Sequence, residues 1–407
     1  MQRAYRFRFY PTATQSPLLS GYFGSARWVW NACLSWRAHL YKDQKTSVNG
    51  IDFSKELTFL KTLESYSWLK KTPSAIYQQT LRDQETAFSN FFSKRAGYPK
   101  FKRKHSAQSI RFTLDQRVIL NYFRAGKLLR LTKLGSLNIR WSRIPTGIPK
   151  MVTVSKDSAG RYFVSFSCEE EIQKLPSNEV AIGIDLGITD ILVTSDGWKS
   201  GNPRHLSKKL RALKKYQRRM ARCQKPQKGK KVSGRYKKAA LRVARYHAKV
   251  ANARKDWLQK QTTEIIRRAG VIALEDLNIS GMLRNRKLSR VISDVGMGEL
   301  RRELEYKAQW YGRNLITIGR FEPTSKVCSD CEFQVENMGL SIRKWECPNC
   351  GTLHDRDANA AQNILALATG GRPESNARVC GRKPPSVGSE VTSEMLASAN
   401  RESILRA

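Results

Sequence analysis

The chain of 407 residues carries 74 Lys+Arg against 34 Asp+Glu, a net charge of +40 at pH 7; this exceeds what solubility requires and points to a polyanionic partner. With 40% hydrophobic and 9% aromatic residues it can bury real cores, which excludes a disordered basic tail, and the length suggests about two to four domains. No run of about 18 apolar residues occurs, and the opening MQRAYRFRFYPT lacks the apolar segment of a signal peptide, so a cytoplasmic protein without membrane spans is expected.

The first predicted element is a strand over 5–10, with Tyr5, Phe7 and Phe9 on one face, Arg6 and Arg8 on the other, and Pro11 ending it. From Gln15 to about Phe92, Trp28, Trp36, Leu57, Leu60, Leu81, Phe88 and Phe92 recur at helical spacings, which predicts a helical domain over 13–99. Its exit, Gly97-Tyr98-Pro99-Lys100-Phe101-Lys102-Arg103-Lys104, interleaves aromatics with cations, a composition suited to stacking on bases while neutralising phosphates. Between about 108 and 172 the period becomes that of strands. Val118–Leu120, Leu128–Leu131 and Leu137–Ile139 are separated by Gly126 and Gly135, and Val152–Val154 is expected to pair with Tyr162–Phe166 across Asp157–Gly160. The first strand has no neighbour near it in sequence, so 1–12 and 100–176 are read as one split β-barrel with the helical domain inserted.

A third region, over 177–325 and 354–368, opens with the buried-strand pattern VAIGIDLG, followed by Ile191–Thr194 as a second strand. Residues 204–255 hold 21 Lys+Arg and no acid, and keep helical spacing on both sides of a break at 224–234. A basic helical hairpin over 204–260 is predicted, and with no acids for i,i+4 pairing its cationic surface needs an external polyanion. Val271–Glu275 is a third apolar strand, the helix Met297–Tyr311 follows, and Leu315–Ile318 is a fourth strand. The weakly apolar stretch 369–407 is expected to be disordered.

Eight cysteines are too sparse for a disulfide scaffold in a chain of this length. Cys328-x2-Cys331-x15-Cys347-x2-Cys350 places two thiols on each of two knuckles, the spacing of a closed, structural zinc site, here a ribbon over 326–353. Cys33, Cys168, Cys223 and Cys380 carry no pattern. Asp185 lies inside an apolar strand, where an unpaired carboxylate is costly unless it meets a cation, and Glu275 ends a second such strand. Each acid alone is equally well explained by pairing with an arginine. In a helix starting near Asp355, that residue is a natural N-cap, whereas Asp357 shares the face of Ala360, Ala361 and Ile364 and can approach the other two acids. Three such carboxylates form a site for two Mg²⁺ ions, which activate a water and stabilise the leaving oxygen of a phosphodiester. His354 is assigned a packing or hydrogen-bonding role beside the ribbon.

The order GIDLG, ALEDL, the paired Cys-x2-Cys knuckles and HDRDANAAQNI, together with RFYPT, RWVWNACL, GYPKFKRK and ISDVGMGELRRELEYKA, resembles the TnpB family of transposon-encoded relatives of type V CRISPR effectors. The resemblance spans nearly the whole chain except the tail. It implies a multidomain α+β architecture: a wedge-like split β-barrel, an inserted helical recognition domain, and a RuvC-like nuclease domain of RNase H fold carrying the zinc ribbon. The family triad falls on Asp185, Glu275 and Asp357, with two Mg²⁺, and the ribbon's single Zn²⁺ on Cys328, Cys331, Cys347 and Cys350. Implied partners are a guide RNA from the transposon end and double-stranded target DNA beside a short flanking motif, with no membrane and no small-molecule substrate. The setting is a prokaryotic cytoplasm, with the protein on the nucleoid when bound to DNA. Gln78 aligns with a family position near the flanking motif, and Ser54 to Leu57 lie in the other matching stretch. Lys100, Lys102, Arg103, Lys104, Lys214, Arg218 and Arg219 are the candidate nucleic-acid contacts. Guide pairing would select the sequence to be cut, as in CRISPR nucleases. Two other functions share these features. One is a transposase joining element ends by strand transfer with the same acids; the other is a guide-dependent or direct DNA-binding regulator, which the intact acids disfavour.

Overall fold

The computed structural model describes residues 1–104, 108–113, 129–145, 147, 149–223, 232–339 and 341–370. The first strand, β1 (Gln2–Phe9), alternates as its sequence requires, burying Tyr5, Phe7 and Phe9. Each such aromatic contributes about 1.5–3 kcal/mol when fully buried. β1 runs antiparallel to β7 (Tyr162–Glu169) along its whole length and also pairs β5 (Ile139–Arg140). β6 (Pro149–Lys156) and β7 form the expected hairpin, with Val152 opposite Phe166 and Val154 opposite Val164. Its turn is tied by the Arg161 amide donating to Asp157 Oδ1 at 2.8 Å, and the positive φ of +76° at Gly160 requires glycine there. With β2 (Gln108–Thr113) the order is β2-β6-β7-β1-β5.

The expected barrel is therefore an open five-stranded sheet among the described residues, where no hydrogen bonding joins β2 to β5. The small hairpin of β3 (Leu129–Leu131) and β4 (Gly135–Leu137) pairs only with itself and adds its leucines to the same core. Asn138 separates β4 from β5, because its carbonyl accepts the amide of Tyr10 rather than continuing one strand. The strand expected over Val118–Leu120 lies outside the described residues.

Between β1 and β2 the chain forms α1 (Gln15–Gln44), α2 (Gly50–Leu60), a 3-10 segment (Glu64–Lys71) and α3 (Ser74–Phe92). Asn49 and Asp52 cap α2 reciprocally, satisfying amides that the first turn cannot pair internally. Val29, Cys33, Phe53, Leu57, Leu69, Tyr77 and Leu81 make a core separate from that of the sheet. Phe92, expected on the packed face, is instead 74% exposed. It is the last residue of α3, beyond buried Phe88, and its ring meets only Phe88 and Phe91.

The second sheet has the order β11-β10-β8-β9, from β8 (Ala181–Asp185), β9 (Val193–Thr194), β10 (Val271–Glu275) and β11 (Asn314–Ile318). β8, β10 and β11 are parallel and β9 is antiparallel. The strand expected over Ile191–Thr194 shortens to its last two residues, and Ile191 and Leu192 are buried in loop conformation. The basic hairpin is α4 (His205–Ala221) packed on α5 (Gly234–Arg268), and its tip at 224–231 lies outside the described residues. Both oxygens of Asp294 accept the amide of Leu206, so a carboxylate satisfies the start of α4. After β10 come α6 (Ile279–Met282), α7 (Ser289–Val295) and α8 (Met297–Tyr311), the last packing against α5 over Leu300, Leu304, Leu258 and Ile265. The ribbon carries β12 (Lys344–Glu346) and β13 (Leu353–Asp355) and leads into α9 (Arg356–Thr369). The expected disordered tail falls outside the described residues from 371 onward. Among the described residues no helix is long and apolar enough to cross a membrane.

Candidate active site

Asp185 and Glu275 are the last residues of adjacent parallel strands, and Ile184 stands opposite Leu274, so the two carboxylates leave the sheet side by side at its carboxyl edge. The third acid arrives on α9, which lies across β8 and β10 with Ala360, Ala361 and Ile364 buried. Gly183 sets how closely it lies: a Cβ there would overlap the Ala361 carbonyl oxygen and stand 2.8 Å from the Leu365 amide nitrogen. Asp357 is one helical turn before Ala361, about 5.4 Å along the axis. Asp185 is two strand residues past Gly183, about 6.6 Å on the same face. The glycine contact thereby aims Asp357 at Asp185.

The electrostatics show the same convergence. Burial, then the charges of Asp357 and Glu275, push the Asp185 carboxyl up to about 7, and burial also raises Glu275. A buried carboxyl whose ionisation two neighbouring acids oppose marks a place where a divalent cation would be stabilised. Their oxygens do not all lie within 4.8 Å of one another, and Asp357 accepts from Arg343 of the ribbon at 3.1 Å. Asp355 behaves differently. Its carboxylate caps α9 by accepting the Ala358 amide at 3.2 Å and pairs with Lys199 at 2.6 Å. Although burial pushes it up, the Lys199 hydrogen bond holds its carboxyl below the usual range.

Cys328, Cys331, Cys347 and Cys350 bring their sulfurs within 4.8 Å of one another, the only such set of three or more Cys, His, Asp or Glu among the described residues. The separations of 3.7 Å for Cys328–Cys350 and 3.5 Å for Cys331–Cys347 approach the edge of about 3.8 Å of a tetrahedron with metal–sulfur bonds of about 2.3 Å. His354 is buried with Nε2 3.0 Å from the Cys328 sulfur and its ring against Trp345, the packing position expected for it. Two asparagines of the HDRDANAAQNI motif that the sequence left without a role join this cluster to α9. Asn359 donates to the Val327 carbonyl and accepts the Ser329 amide, and Asn363 donates to the carbonyls of Thr324 and Val327.

The candidate nucleic-acid residues do not gather at the acids. Gln78 is exposed on α3. Lys100, Lys102, Arg103 and Lys104 follow α3 in an extended segment fastened to α1, where Trp30 donates to the Lys100 carbonyl and Asn31 bonds both backbone groups of Lys102. Lys102 also places its ammonium 3.7 Å above the Trp30 ring. Lys214, Arg218 and Arg219 are exposed on α4. Gly183, Arg343 and Lys199 are the residues at this edge that motif reading missed. Only Gly183 had a signal, as a glycine inside a buried strand that marks close backbone approach.

Gly183→Ala is expected to cost about 1–3 kcal/mol by overpacking the strand against α9, measurable by denaturant unfolding. An unchanged midpoint would mean that the helix yields freely and that Gly183 does not set its height.

The layout defines a mixed α/β protein with acids at one sheet edge and a four-cysteine knuckle beside them. A family model described as "Probable transposase" matches residues 165–286, one described as "Cas12f1-like, TNB domain" matches 298–364, and one described as "Helix-turn-helix domain" matches 1–46. The chain belongs to the TnpB family. It is 42% identical over 369 residues to a Streptomyces pristinaespiralis protein named "Putative RNA-guided DNA endonuclease", covering 90% of this chain and 89% of the relative. It is 31% identical over 384 residues to "Putative RNA-guided DNA endonuclease InsQ" of Escherichia coli K12, covering 89% and 92%. Its fold is similar to the protein in "Cryo-EM structure of the Cas12f1-sgRNA-target DNA complex", with a TM-score of 0.53 at 13% identity over 90% of this chain and 98% of that one.

Proposed function

We propose that this chain is an RNA-guided DNA endonuclease of a mobile element, cleaving double-stranded DNA beside a short flanking motif. The observation that carries the chemistry is the convergence of Asp185, Glu275 and Asp357 at one sheet edge, in a chain of net charge +40. The names of the two full-length relatives support the RNA-guided reading.

Asp185, Glu275 and Asp357 would hold two Mg²⁺ ions, whose preference for hard oxygen donors these carboxylates meet. When bound, the ions supply activation of a water and neutralisation of the leaving oxygen. The chain contributes position: β8 and β10 hold two ligands rigidly, and α9 brings the third. Arg343, paired with Asp357 at 3.1 Å, would bring a positive charge to a phosphate held at the acids. Cys328, Cys331, Cys347 and Cys350 would hold one structural Zn²⁺. The exposed cations of α4 and α5 would neutralise nucleic-acid phosphates, with no acid between 204 and 255 to compete.

The test is to express the protein beside its native flanking DNA, wash at high salt, and sequence what co-purifies. One dominant RNA ending in sequence beyond the element is expected. A heterogeneous mixture, or element-end DNA in its place, would overturn the guide and favour strand transfer by the same acids.

A further inference from the structure

One cavity of the chain lies away from the acids. It is a groove of about 900 Å³ along the first half of α1, walled by Trp28, Trp68 and Phe101 and edged by Arg27 and Lys71. That volume is at the upper end of small-ligand sites, which run about 300–1,000 Å³. Its lining includes no acid, and neither cation has an ion pair with another described residue. Phe101 is 58% exposed although its neighbours Lys100 and Lys102 are hydrogen-bonded to α1, so the backbone holds an aromatic ring out over the groove.

The helix that forms the floor of the groove is itself unusual in sequence. Gly21 and Gly24 lie inside the 30-residue α1, where glycine weakens a helix relative to alanine. No described residue fills the space they leave. A Cβ at Gly21 would meet no atom within 4 Å, and one at Gly24 only the Arg27 Nη2 at 3.8 Å. Both glycines line the groove, so the missing side chains keep it open for something outside the chain.

We propose that this groove is a binding site for an unpaired nucleotide of RNA, its base stacked among Trp28, Trp68 and Phe101 and its phosphate met by Arg27 or Lys71. Aromatic walls with acid-free cationic edges match a base and its phosphate, and are a poor match for a peptide carrying acids and bases alike. RNA is favoured because its loops present unstacked bases, whereas a DNA duplex must first flip one out. The choice of RNA rests on the guide-RNA reading above; the groove itself does not.

The experiment uses the full chain and a synthetic probe, an oligouridylate of about eight residues carrying 5-iodouridine, cross-linked at about 0.5 M salt, where phosphate attraction fades and stacking persists. Cross-links are mapped by mass spectrometry. The expected result is attachment at Trp28, Trp68 or Phe101, reduced about tenfold or more in Gly21→Leu, which fills the groove, and in Phe101→Ala, which removes a wall from a surface segment. Cross-links only elsewhere, or unchanged in both variants, would overturn the site. Equal labelling by the matching oligodeoxyuridylate would overturn the assignment to RNA. A dimer that Gly21→Leu converts to monomer would show that a second copy fills the groove instead. The assay needs neither guide nor cleavage, so its failure is distinct from failure of the nuclease reading.

Discussion

Asp185→Ala is expected to lower DNA cleavage about a thousandfold or more, equivalent to about 4 kcal/mol of barrier, with the variant retaining RNA through purification. The size follows from position. Asp185 lies between the other two carboxylates, flanked by Glu275 on the neighbouring strand and Asp357 on the helix above, and its own charge is the one most opposed by theirs. Removing it takes a ligand from the centre of the set. RNA retention follows because the exposed cations of α4 and of 100–104 belong to other elements. A binding readout separates a lost ligand from a lost fold: Mg²⁺ is expected to raise the melting temperature of the wild type and to have little effect on Asp185→Asn. The ion-free Asn variant is expected to melt higher than ion-free wild type at pH 8, since a buried charge opposed by its two acidic neighbours is gone. A variant that still cuts, or that gains as much from Mg²⁺ as the wild type, would move the site elsewhere.

The acids and the cysteines were legible because each is chemically conspicuous: a carboxylate in an apolar strand, or thiols at knuckle spacing, demands an explanation from its neighbours alone. The capping role of Asp355 was also legible, since it follows from where the helix begins, and the structure gives Asp355 both the Ala358 amide and Lys199. Long-range pairing was not legible. That β1 joins the strands of 108–172 could be inferred from its lack of a local partner, yet its place between β7 and β5, and whether the sheet closes, depend on pairings that no local pattern encodes. Phe92 illustrates the limit of periodicity, which gives the face of a residue but not whether the neighbouring helix extends far enough to cover it. Arg343 was one arginine among many, and only the fold of the ribbon brings it to Asp357.

Removing metal from the cysteine cluster is expected to abolish cleavage through a residue that binds no zinc. The knuckles and α9 share hydrogen bonds: Ser329 and Val327, beside Cys328, meet Asn359, and Asn363 reaches Val327 and Thr324. These asparagines are 1% and 2% exposed, so losing their partners leaves buried polar groups unpaired, at about 1–3 kcal/mol each. Structural zinc in such small modules supplies folding free energy of about 10 kcal/mol or more. Among the described residues the apolar core of the ribbon is small, Cys328, Trp345 and Cys347 with the half-buried Cys331, Val335 and Met338. Unfolding it would fray the first turns of α9 and withdraw Asp357 from Asp185, while β8 and β10, whose core is built with α5 and α8, remain. Cys328→Ser, or a strong chelator, should therefore remove one zinc per chain by elemental analysis and lower cleavage at least about a hundredfold, an effect of about 2.7 kcal/mol. Hydrogen exchange should rise over 326–364 and stay slow over 181–185 and 271–275. Exchange rising equally in those strands would mean that the ribbon supports the whole sheet. Full activity without zinc would mean that Asp357 reaches the other acids unaided, held by the packing of Ala361 on Gly183 alone.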